Sequence, residues 1–166
     1  MRPKDRGLLI PDSFIANNNL NESQNDYVAL EIIPFALHVS YIDPFKFDEF
    51  MEAAVPKIKD DIRTHGGKDT PVEGGRWDLA TVGVAILFVK DVHYTGEMTY
   101  GMIDGALTEL FFTFALYEYR ESNLKVYEDG GDNRLISRGY VAKTVRGPQG
   151  SSLVDPGDTS SVAVTK

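Results

Sequence analysis

Residues 43 to 67 carry both the start and the stop of an amphipathic helix, and that one element decides most of what the chain can become. Asp43 suits an N-cap, and Pro44 follows at the first helical position, where its missing N–H costs nothing. Phe47, Phe50, Met51, Ala54, Val55, Ile58 and Ile62 then recur at helical spacing on one face, opposite Asp48, Glu49, Glu52, Lys59, Asp60 and Arg63. Gly66-Gly67 ends the pattern. Pro56 falls inside it on the solvent side, so a kinked helix or two abutting ones is expected. A helix with one apolar stripe must bury it against another layer, and the flanking sequence supplies strands for that layer.

Tyr27 to Ile42 is β-branched and aromatic on both parities, as a long strand covered on both sides would be. Pro34 cannot donate to a ladder, so the strand must be an edge there, bulged, or split. Residues 68 to 75 form a polar loop with Gly and Pro. Arg76 to Val92 then reads as one central strand, charged only near its ends. Thr95 or Thr99 can cap a second helix running to about Arg120. The turn Asp129-Gly130-Gly131-Asp132-Asn133 joins Leu124–Glu128 to Arg134–Lys143 as a hairpin. The order is β-α-β-α-β-β. It predicts an α+β fold, a mainly antiparallel four-stranded sheet with two helices on one face. The single domain spans 27–143, between a flexible segment at 1–26 and a Gly/Pro/Ser-rich flexible tail at 144–166.

Composition narrows the function classes. Seventeen basic residues against 25 acidic give a net charge of −8, which disfavours nucleic acid and anionic membrane as partners. No cysteine is present, so disulfides, thiol nucleophiles and cysteine-bound metal are excluded. Apolar runs are too short for a membrane span. Leu8-Leu9-Ile10 is cut by Pro11 before a secretory core can form, which indicates an intracellular protein or a mature form without its leader. The sequon Asn21-Glu22-Ser23 matters only in the second case.

Little points to catalysis. No nucleotide-binding, zinc-protease, serine-hydrolase or kinase signature occurs, and no cofactor or metal is called for. The turn at 129–133 lacks the spacing of a calcium loop. His65, at a helix C-terminus, suits the helix dipole, and His38 could pair with Glu31 or Asp78 only if strands align them.

The second helix is the unusual element. Ile103, Ala106, Leu107, Leu110, Phe114 and Tyr117 form a core stripe. Gly101, Gly105, Phe112, Leu116 and Tyr119 fall on the opposite side, which is either covered by another part of the chain or offered to a protein partner or a second copy. Nine carboxylates against three bases (Arg120, Lys125, Arg134) lie between residues 91 and 134, a face that is either simply solvated or suited to a basic partner.

Residues 99 to 141 also carry a familiar pattern. Thr99-Tyr100-Gly101 opens a helix with Ala106-Leu107 and Leu110, followed by Tyr119-Arg120-Glu121, a strand with Val126-Tyr127, and a return through Gly139. This resembles uncharacterised small proteins of filamentous fungi, many secreted and some effector-like. The resemblance implies an interaction role and no catalytic residues. The first expectation is therefore a non-catalytic interaction module that uses the outer face of the second helix. The alternative is a small enzyme or ligand-binding domain with a pocket between sheet and helices, lined by His38, Tyr41 and Trp77.

Overall fold

The structure, a computed structural model, describes residues 28–37, 39–128 and 133–144. Five strands form one antiparallel sheet: β1 (Val28–Pro34), β2 (Arg76–Ala80), β3 (Ala85–Lys90), β4 (Ser122–Glu128) and β5 (Leu135–Ala142). Their spatial order is β1-β4-β5-β3-β2. Helices α1 (Pro44–His65) and α2 (Tyr100–Leu116) share one core with the inner sheet face. The α+β class and the antiparallel sheet agree with the sequence. The strand count of four and the order β-α-β-α-β-β do not, because the run from Arg76 is a hairpin.

Gly83 makes the difference. Its φ of 102° is left-handed, a conformation that glycine adopts without strain. The chain reverses over Thr81–Val84, with Thr81 N–H donating to the Val84 carbonyl at 2.8 Å. Trp77 then faces Phe88, and Leu79 faces Ile86, all on the inner side.

Helix α1 forms as its composition requires. Asp43 accepts from Phe45 N at 2.9 Å, and Gly66 closes the helix at φ 102°. The helix continues through Pro56, whose exposed position leaves the lost bond on the side away from the core. Six residues of its apolar stripe, from Phe47 to Ile58, are buried. Each large one contributes about 1.5–3 kcal/mol.

Helix α2 is capped by Thr99, whose Oγ1 accepts from Met102 N at 3.3 Å. It ends at Leu116 rather than near Arg120. The chain then turns back, and Tyr119 packs edge-on against Phe47 and Phe114, with ring centroids 5.5 and 5.6 Å away. Residues 68–72 run along the start of α2: Gly101 N–H donates to the Lys68 carbonyl at 2.9 Å, and Tyr100 N–H to that of Thr70 at 3.1 Å.

Pro34 ends β1 on the sheet edge, where a missing donor is harmless. Pairing then resumes. Phe35 N–H donates to Glu121 O at 3.1 Å, Glu121 N–H to Ser40 O at 3.0 Å, and Ile42 N–H to Tyr119 O at 2.8 Å. Phe35 and Ser40 thus both pair with Glu121, and Leu37 is 97% exposed. Most of the expected tail regions, 1–26 and 145–166, and the turn residues 129–132 lie outside the described residues.

Candidate functional site

Two of the cavities among the described residues lie at opposite edges of the sheet. The first, about 330 Å³, lies where the C-terminal half of α1 faces β2 and the turn Glu73–Gly75. Lys57, Asp61 and His65 recur every fourth residue and so share one side of the helix. Asp61 Oδ2 accepts from Lys57 Nζ and from Trp77 Nε1, both at 2.9 Å. Lys57 Nζ lies 5.6 Å from the centre of the Trp77 ring. Burial pushes the Asp61 carboxyl upward, but the hydrogen bonds from Lys57 and Trp77 outweigh it and hold the group below its usual value.

His65 stacks on Tyr100 with centroids 4.9 Å apart. Its Nδ1 is 2.8 Å from the Asp61 carbonyl, which can only accept, so Nδ1 carries the proton. At the rim, Arg76 Nε donates to Asp78 Oδ1 at 3.0 Å. Most charges of this cleft are thus paired with one another. The arrangement fastens α1 to β2, and that use explains it.

The second cavity is larger, about 420 Å³, and of different chemistry. Ile32 and Pro34 of β1, Ser122 of β4, and Thr113, Phe114 and Tyr117 at the end of α2 line this solvent-open cavity, with Glu118 and Arg120 from the connecting segment. Its walls are mainly apolar, and one cation stands among them. Tyr41 and Arg120 form an isolated antiparallel bridge, and the guanidinium carbon lies 6.0 Å from the centre of the Tyr41 ring. Arg120 Nη1 is 3.8 Å from Glu118 Oε2, too far for a hydrogen bond. Arg120 Nε is buried, and no described residue accepts from it. Ser122 Oγ donates to the Arg120 carbonyl, 2.9 Å away.

The sequence-derived sites fare unevenly. On the outer side of α2, Phe112 is 43% and Leu116 76% exposed. Gly101 is buried beneath residues 68–72, Gly105 is half-buried, and Tyr119 lies between two core rings. The five residues therefore do not form one open face. Of the alternative pocket, Trp77 lines the first cavity, whereas Tyr41 flanks the second through Arg120, at the other edge of the sheet. His38 lies outside the described residues.

Glu31 and Asp78, considered as partners for His38, stand on β1 and β2, the two outermost strands. Glu31 accepts from the Tyr127 hydroxyl at 2.8 Å, and that bond, with Lys125 beside it, holds its carboxyl below the usual range. Sequence reasoning missed Arg120 as a site residue. The one signal for it was its isolation as one of three bases among nine acids.

Among the described residues, no group of three or more His, Cys, Asp or Glu side chains could hold a metal ion, and no helix is long and apolar enough to cross a membrane. No protein-family model, no curated protein and no solved structure matches this chain.

Proposed function

We propose that this chain is a small-molecule-binding domain whose ligand occupies the cavity between the β1–β4 edge and the end of α2. The observation that carries this reading is the cavity itself: about 420 Å³, with Ile32, Pro34, Phe114 and Tyr117 as apolar lining and Thr113, Glu118, Arg120 and Ser122 as its polar groups. Ligand sites of folded domains combine this size, apolar lining and sparse polarity. The test is a ¹⁵N-correlation titration of the full chain with small apolar fragments. Shifts confined to Ile32, Phe114, Tyr117 and Arg120, removed by a cavity-filling Thr113→Trp substitution, support it. A panel that leaves those resonances unmoved overturns it.

A second reading is a protein-interaction role for the outer side of α2. Phe112 and Leu116 supply exposed apolar surface there. The net charge of −8 opposes self-association and favours a partner with a basic rim around an apolar groove. Sedimentation at rising concentration tests that assignment: a stable homodimer overturns it.

A further inference from the structure

We infer that the ligand of the second cavity carries a carboxylate and that Arg120 is the residue that recognises it. This rests on the cavity being a ligand site, as proposed above.

The cavity wall holds a cation with too few acceptors around it. A guanidinium is always charged and presents its donors in a planar fork. Arg120 places that fork in the wall with weak compensation: Glu118 stands 3.8 Å from Nη1, and the Tyr41 ring covers one face at 6.0 Å. Neither accepts from Nε, which is buried without a partner among the described residues. A buried donor left unpaired is unfavourable, and its presence calls for an acceptor from beyond the described residues, a role that a ligand can fill.

A carboxylate meets that need. It approaches a guanidinium side-on, accepting from Nε and one Nη together, and neutralises the charge at the same time. Docking requires the Nε–Nη edge to turn into the cavity, a motion in which Nε gives up no hydrogen bond. An alcohol supplies one acceptor and no charge. An amine is repelled. A dianionic phosphate would suit the fork, but it carries more charge into apolar walls with Glu118 alongside. The ligand class is therefore a short-chain or single-ring monocarboxylate, its apolar body against Ile32, Pro34 and Phe114.

The experiment compares hexanoate, hexanol, hexylamine and hexyl phosphate by NMR titration against the full chain, in the wild type and three variants. Hexanoate should bind about tenfold more tightly than hexanol, with hexylamine weakest. Arg120→Met, which keeps the apolar stem, should bring hexanoate down to about the affinity of hexanol and move hexanol far less. Arg120→Lys keeps the charge but loses the fork, and should recover only part of the preference. Glu118→Gln should tighten hexanoate by a few-fold, and it keeps the test decisive if the Arg120 variants fail to fold. Equal affinities for hexanoate and hexanol in the wild type overturn the carboxylate assignment and leave the cavity reading standing. Tighter binding of hexyl phosphate overturns it in favour of phosphate. If none of the four binds, the cavity reading fails first.

Discussion

Arg138 Nε donates to Asp91 Oδ2 at 2.7 Å and ties the middle of β5 to the turn that leaves β3. Asp91 is buried, and its other oxygen accepts from His93 N at 3.0 Å. The Arg138 bond, aided by the His93 N–H, holds the carboxyl below its ordinary value. A depressed folded value stabilises the fold above the unfolded value, near 4, and this contribution is lost as pH falls through the folded one. Asp91→Asn should lower the urea midpoint at neutral pH, and the deficit should shrink below about pH 4. A deficit that stays constant down to about pH 2.5 would refute this.

The lone tryptophan provides an optical probe of the first cavity. Trp77 Nε1 bonds to Asp61 Oδ2, whose carboxyl is held low despite its burial because Lys57 and Trp77 both donate to it. Trp77 emission should change on acidification, with a midpoint below the ordinary aspartate value of about 3.9. Asp61→Asn should abolish the step. Asp61→Ala, which strands the indole donor, should cost about 1–3 kcal/mol in urea unfolding.

Gly139 lies in β5 opposite Phe88, at a point where a Cβ would overlap the backbone carbonyl of Leu87. Backbone cannot withdraw as a side-chain tip can. Gly139→Ala should therefore destabilise by about 3 kcal/mol or more, measured by urea unfolding.

Much of this architecture could be read from residues alone, where the signals were local. Asp43-Pro44 and Gly66 bracket α1 because caps act within a few residues. The β2–β3 hairpin was hidden because Val82 and Val84 continue the β-branched run on either side of Gly83, so an apolar turn reads as strand. Tyr119 was misplaced because nothing near Tyr117 announces a helix end, and aromatic packing against Phe47 decides where the chain goes. The second cavity was illegible for a different reason. Ile32, Phe114 and Arg120 come from segments far apart in the chain, and only the sheet order β1-β4 brings them together.

The two sides of α2's end make a sharp contrast. Leu116 is largely exposed and Phe112 43% exposed, while Tyr119 is wedged between Phe47 and Phe114. Leu116→Ser should change stability by no more than about 0.5–1 kcal/mol. Tyr119→Ala should cost about 2–4 kcal/mol through lost ring contacts and a residual void. Thermal melts of the two variants distinguish these outcomes.

Thr144 fastens the β2–β3 turn from the far end of β5. Its Oγ1 accepts from Gly83 N at 2.7 Å and donates to the Thr81 carbonyl at 2.9 Å. Thr144→Val should cost about 1–2 kcal/mol. It should also speed hydrogen exchange at the Gly83 amide well beyond the global change.

The position of β5 has a consequence for how the chain is made. It is the last described strand to leave the ribosome, yet it occupies the centre of the sheet, between β4 and β3. Until it emerges, β1–β4 and β2–β3 are separate two-stranded pieces, and such pieces are barely stable in water. β1 in turn waits for β4, since Val28 pairs with Glu128. Translation therefore yields a prolonged interval of exposed apolar strands, closed by one late event that joins both halves, and a chain halted before Leu135 would have no continuous sheet to fold around.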